Sequence, residues 1–351
     1  MVDVYGLERG LELMMDAGFP AIDLNLGDNN EYLFREDWRE TADRIKTLAD
    51  RRGVVFNQAH APFGGGYAHY TEVLVPQMPR VFAFAGRVGI RQVVVHPLQR
   101  GRYYGHEQEL FDMNMEFYRS LAPYAREAGV RIAIENMWQN HPVNGHIVDD
   151  VCADPHELAA YYDTLDDPDC FTVCLDLGHV ALCGREPEDA VRVLGHDRLG
   201  ALHIHDVDYV NDLHNLPGMG GIRWDAVCRA LADIRYRGEM TLEAARFLSH
   251  YDKDFRPTAC RFMADCVAHL AATVYKENRG ASQRLSGFLF CLLSVECGYM
   301  DLPPPPCDLP EELVCVEEPP PEDSLGLATR DTVRYRKISR ASVMFTLFPL
   351  M

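Results

Sequence analysis

From about residue 6 to residue 280 the chain alternates short apolar or β-branched runs with longer segments whose apolar positions recur at helical spacing. The runs at 21–26, 54–58, 92–96, 130–135, 171–176, 199–205 and 239–243 read as strands. The segments at 6–17, 36–52, 71–88, 107–128, 155–165, 186–194, 224–234 and 255–276 read as helices, several followed by glycine, as at Gly18, Gly53, Gly89, Gly129 and Gly238. Strands that alternate with helices predict βα units and an all-parallel sheet, here an α/β fold of the TIM (β/α)8 type. The first helix has no strand in front of it, because MVDVY is too short to make one. The expectation is therefore a barrel with a missing or vestigial first strand, and an open seam whose edges would be exposed.

The pattern changes after residue 280. The run LSGFLFCLLSV at 285–295 is apolar but shows no pairing pattern, and proline runs at 303–306 and 319–321 bracket an acidic stretch. Residues 332–348 alternate enough to form a strand that could take the vacant first place. The chain thus divides into a barrel at 1–280 and a Pro-rich extension of low order at 281–351.

With 351 residues, 47% of them hydrophobic, the chain can bury one large core. Its formal net charge of -19 argues against a broad surface for nucleic acid or anionic membrane. No apolar run approaches the length of about 20 residues that a membrane helix needs, and MVDVYGLERG does not read as a signal peptide. Eleven cysteines without a CxxC pair suggest reduced thiols in a cytoplasmic protein. A small molecule is the expected partner; neither nucleic acid nor membrane is, and a homo-oligomer stays open.

Ligand-type residues recur where strands end. His60 lies in NQAHAPF, His96 in VVVHPL, Glu135 in IAIENMW, Asp176 and His179 in VCLDLGH, and Glu243 in MTLEA. The densest stretch is LGALHIHDVDYVNDLHNLPGMGGIRW at 199–224, with His203, His205, Asp206, Asp208, Asp212 and His214. A side-chain period of two sets His203 and His205 on one face of that strand and Asp206 on the other. In a parallel barrel the carboxyl ends of the strands share one face, where active sites sit. Carboxylates with imidazoles suit Mn, Mg, Co or Zn. Glu135, closing a buried run, must be paired or metal-bound. His60 and His96 could instead end strands and bond a neighbouring loop, His205 competes with His203, and His179 could touch substrate rather than metal. Trp138 and the 64–66 glycine run are candidate pocket walls.

Taken in order, AHAPF, VVVHP, IENM, CLDLGH, LHIHD, DLHNLPGMGGIRW and TLEA resemble the sugar phosphate isomerase/epimerase family of xylose-isomerase-like barrels over residues 6–278. The resemblance implies one divalent metal held by Glu135, Asp176, His203 and Glu243, with His179 contacting substrate. It implies isomerisation or epimerisation of a sugar, sugar phosphate, or related polyol or hydroxy acid, by proton transfer through an enediolate with Glu135 and Glu243 as acid and base. The related apurinic-site endonucleases hold three zinc ions, and their additional ligand positions resemble His60, His96, His179, Asp212 and His214. The continuation WQN after IENM and the acidic charge depart from that nuclease pattern. The alternatives are thus a zinc phosphodiesterase of that kind, or an inactive truncated barrel.

Overall fold

The structure, a computed structural model, describes residues 1–27 and 31–278 together with the strand Phe290–Leu293. Eight parallel strands close into a barrel among the described residues. In chain order they are β1 (Ala21–Asn25), β2 (Val55–His60), β3 (Gln92–Val95), β4 (Arg131–Glu135), β5 (Phe171–Asp176), β6 (Leu199–Ile204), β7 (Met240–Leu242) and β8 (Phe290–Leu293). Around them run α1 (Leu7–Asp16), α2 (Trp38–Arg52), α3 (Met78–Val88), α4 (Glu107–Ala128), α5 (Pro155–Leu165), α6 (Pro187–Arg198), α7 (Trp224–Asp233) and α8 (Arg256–Asn278).

Among the described residues no barrel strand precedes α1, but the expected open seam is closed. Its place between β7 and β1 is filled by β8, in parallel register with both: Cys291 pairs with Thr241 on one side and with Ala21 on the other. Both of its pairings are with strands distant in sequence, so no local pattern marks it. This strand belongs to the stretch that the sequence assigns to the extension. The rest of that stretch, including the 332–348 run, lies outside the described residues.

The pleat separates two interiors. Ile132 and Ile134, Val173 and Leu175, and Leu202 and Ile204 face outward into the large core between sheet and helices. The alternate positions Ala133, Cys174 and Ala201, with Val94, form a small cluster inside the barrel. Asp23 alternates with Ile22 and Leu24, which belong to the outer core, so its side chain shares the inner face. The helices pack closely enough that a Cβ on Gly86 of α3 would lie 2.3 Å from the Ala128 carbonyl oxygen of α4. A two-stranded antiparallel hairpin, Trp138–Asn140 with Ile147–Asp149, sits beyond β4 and is absent from the sequence reading.

Candidate metal centre

The strands end in polar side chains because the barrel's carboxyl face is where the buried sheet meets its loops. Glu135 is the last residue of β4, Asp176 the last of β5, and His203 the penultimate residue of β6. Glu243 follows β7 directly, and its backbone N–H donates to the Ile204 carbonyl at 2.8 Å. These four side chains converge: one ligand atom from each lies within 4.8 Å of the others. Glu135 is 1% exposed, Asp176 and His203 0%, and Glu243 7%. His203 Nδ1 faces all three carboxylates, at 2.8 Å from Glu135 Oε1, 3.2 Å from Glu243 Oε2 and 3.9 Å from Asp176 Oδ2.

Three further groups of potential ligands adjoin this one: His60, His96 and Glu135; Asp176, His179 and His205; and His205, Asp212 and His214. His60, His96, Glu135, Asp176, His179, His203, His205, Asp212, His214 and Glu243 therefore lie in one continuous cluster. Three of the histidines have their tautomer set by the backbone. Nδ1–H of His60 donates to the Ala61 carbonyl at 2.8 Å, that of His179 to the Asn136 carbonyl at 2.8 Å, and that of His214 to the Glu243 carbonyl at 2.9 Å. Each bond leaves the Nε2 lone pair for the cluster, the arrangement expected of metal-ligating imidazoles. His60 Nε2 then meets Glu135 Oε2 at 3.3 Å, and His214 Nε2 meets Asp212 Oδ2 at 3.2 Å. In both pairs two acceptors face each other, which is favourable only with a proton or a cation between them.

Electrostatics divides the carboxylates. Burial raises the Glu135 carboxyl, but His203, His96 and His60 outweigh it and hold the group well below the usual carboxylate range. Asp176 is likewise held low against burial by His179 and His205. Glu243 goes the other way, burial pushing it up to about 8 despite His203 and His214. His96 is lowered to about 4 by burial, whereas Cys174, Glu135 and Glu243 together raise His203 in spite of it. Three buried carboxylates this close, with one imidazole shared among them, fit a divalent cation.

Several neighbours hold the ligands in place. Asn136 brackets the β5 end, its Oδ1 accepting from Asp176 N at 2.7 Å while its Nδ2 donates to the Asp176 carbonyl at 3.0 Å. His205 Nε2 lies 3.0 and 3.1 Å from the two Asp176 oxygens, and its ring stacks on His214 at 4.1 Å. The Phe63 ring lies 4.6 Å from that of His60 and 4.7 Å from that of His96. Beside them Gly64, Gly66, Tyr67, Tyr70 and Gln99 line a small cavity of about 70 Å³. Gln99 donates to the Trp138 carbonyl and to Asp150, fastening the hairpin over the mouth.

Two acidic residues from the dense 199–224 stretch do not join the cluster. Asp206 is fully buried and accepts from Val207 N, Gly218 N, Ile222 N and Trp224 Nε1 at 2.7–3.1 Å, so it ties the PGMGG loop to the start of α7. Asp208 caps its own exposed turn through Val210 N and Asn211 N. Asp23, buried on β1, was not singled out from the sequence, although a carboxylate in the middle of AIDLN was the signal available.

The fold and the site together define a TIM barrel with a buried carboxylate–imidazole cage at the carboxyl ends of its strands. The chain belongs to the xylose isomerase-like TIM barrel family, whose profile matches residues 11–259. It is 26% identical over 266 residues to the protein y4fM of Sinorhizobium fredii, covering 68% of this chain and 81% of that one. Among solved structures it resembles a D-tagatose 3-epimerase-like protein, with 19% identity, a TM-score of 0.61, and coverage of 79% of this chain and 96% of that one. It also resembles the IOLI protein crystallised with a bound zinc atom, with 18% identity, a TM-score of 0.59, and coverage of 77% and 94%. At these identities the structural likeness is one of fold. No helix among the described residues is long and apolar enough to cross a membrane.

Proposed function

We propose that this protein is a divalent-metal-dependent isomerase or epimerase of a sugar, sugar phosphate, or related polyol or hydroxy acid. The observation that carries the reading is the buried quartet Glu135, Asp176, His203 and Glu243, whose ligand atoms all lie within 4.8 Å of one another. Similarity to a D-tagatose 3-epimerase-like protein and to a zinc-bound relative supports it. A divalent ion held by these four residues would polarise a substrate oxygen and make the adjacent C–H more acidic.

The chain's own residues supply the proton transfers. Glu135, kept ionised by its imidazole neighbours, is suited to accept a proton from carbon. Glu243, the ligand that follows β7, is suited to return a proton taken up from solvent to the opposite face of an enediolate. Microscopic reversibility lets the two exchange roles in the reverse direction. His179, with Nδ1 fixed on the Asn136 carbonyl, has Nε2 available to orient a substrate hydroxyl. The Phe63 ring stands against His60 and the Trp138 ring edge-on to His179, so both are placed to contact a substrate beside the cage. Purified protein supplied with Mn²⁺ or Co²⁺ should catalyse exchange of solvent deuterium into carbon positions of at least one member of a ketose, aldose and sugar phosphate panel, and a chelator should stop it. A panel without any exchange would count against the reading.

A second reading is a multinuclear centre of the kind used by zinc phosphodiesterases. It is favoured by the facing acceptor pairs His60–Glu135 and His214–Asp212, which bring in His60, His214 and Asp212 from outside the central quartet. About three equivalents of tightly bound zinc, with chelator-sensitive nicking of an abasic duplex, would support it over the mononuclear reading.

A further inference from the structure

The His203 ring is held through one nitrogen only. Nδ1 faces the carboxylates of the cage, while Nε2, on the far side of the ring, has no hydrogen-bond partner although the residue is 0% exposed. An imidazole that turns its Nδ1 lone pair to a cation carries its hydrogen on Nε2, and a buried N–H without an acceptor is costly. Cys174 lies beside the same ring, but a thiol sulfur is a weak acceptor.

The acceptor short of donors is Asp23. It is 0% exposed on the inner face of β1, and neither of its carboxylate oxygens reaches good hydrogen-bond geometry, although the Gln58 side chain lies near enough to lower its carboxyl. Its register partner on β2, Gln58, leaves Nε2 unpaired, and Thr241, the register partner of His203 on β7, leaves Oγ1 unpaired. Four polar side chains with at least one unpaired atom thus belong to the barrel interior next to the cage. His203 is the charged group that bears most on the Asp23 carboxyl. Buried polar groups without partners are rare in native proteins, and several in one interior point to an interaction made in the loaded state or through buried water.

We propose that Asp23 is a positioning residue for the metal centre: its carboxyl accepts the Nε2–H of His203, directly or through one buried water, and so fixes the tautomer and orientation of that imidazole. Carboxylate partners of this kind raise ligand basicity and tune metal affinity. The inference rests on the reading of the quartet as a metal site. Asp23 touches no substrate and takes no part in the proton transfers.

The test uses Co²⁺ alone, titrated into the metal-free full chain of wild type, Asp23→Asn and Asp23→Leu, with affinity measured against a competing chelator. Asp23→Leu should bind Co²⁺ about 10–100-fold more weakly and shift the visible ligand-field bands of the loaded protein. Its metal-free form should melt at or above the wild-type temperature, because an unpartnered buried carboxyl has been removed. A purely structural role for Asp23 predicts the reverse, a lower melting temperature with wild-type affinity and spectrum, and that result overturns the proposal. If Asp23→Leu does not fold, Asp23→Ala, which removes the acceptor without adding bulk, replaces it; wild-type affinity and spectrum there also overturn the proposal, while Asp23→Asn, whose amide oxygen still accepts, isolates the contribution of the charge. A wild type that binds no Co²⁺ removes the metal reading itself and this inference with it, whereas a wild type that binds alongside indistinguishable variants removes only the role of Asp23.

Discussion

Gly178→Ala should damage the site through sterics alone. Gly178 opens the short helix Leu177–Leu182 after β5, and the His205 ring lies against its α-carbon. An added Cβ would stand 2.0 Å from His205 Cε1, 2.4 Å from Nε2 and 2.7 Å from Nδ1. Carbon atoms settle at about 3.5 Å or more, so the ring must retreat by roughly 1.5 Å. His214 stacks on His205 at 4.1 Å and within 5° of parallel, so the retreat cannot be a simple slide. Moving away also breaks the contacts of 3.0 and 3.1 Å that His205 makes with Asp176. Overpacking of this kind costs about 1–3 kcal/mol, which in a domain of this size lowers the melting temperature by about 2–5 °C. Loss of the His205 contact should weaken metal binding by about 10–100-fold. Thermal melting and a Co²⁺ titration measure the two effects separately. Adding His205→Ala to the Gly178→Ala chain should recover part of the lost stability, because the clash is then gone. A Gly178→Ala protein that melts and binds as wild type would refute the packing argument.

Other outcomes follow from the same geometry. Glu243→Gln should abolish solvent isotope exchange into a bound sugar while circular dichroism stays that of the folded protein; undiminished exchange would remove Glu243 from the proton transfer. Asp206→Ala leaves four donors of the 206–224 loop without their acceptor and should cost about 3 kcal/mol in urea denaturation, with new protease cleavage inside the loop. Glu157 accepts from Tyr103 and from Cys152 N on one oxygen, and burial raises its carboxyl to about 7. Its folded-state value lies above the unfolded one, so the stability it contributes is full below about pH 4.5 and is lost as pH rises through 7. Glu157→Gln should therefore gain on wild type in melting temperature between pH 5 and 8, and parallel pH profiles for the two proteins would contradict this.

The helical periodicity and the seven apolar runs made the barrel legible because each βα unit is a local signal, decided within a few dozen residues. The polar residues that end those runs converge because parallel strands have no choice but to end on one face. What stayed hidden was non-local or depended on direction. The pairing of Phe290–Leu293 with β1 joins the two ends of the barrel, a contact between residues far apart in sequence that no local period announces. Composition could not separate Asp206, which turns back to bind its own loop, from Asp212, which reaches the cluster. The hairpin Trp138–Asn140 with Ile147–Asp149 is too short for any period to register. Asp23 was legible in principle, since a carboxylate at the centre of a buried strand always needs a partner.

The central claim is that Glu135, Asp176, His203 and Glu243 share one divalent ion. Elemental analysis of the purified chain after exhaustive dialysis against metal-containing buffer tests it most directly, alongside an Asp176→Ala, His203→Ala double variant. The account predicts about one tightly held equivalent in the wild type and its loss in the double variant. A wild type that retains no metal, or a double variant that retains as much, would contradict it.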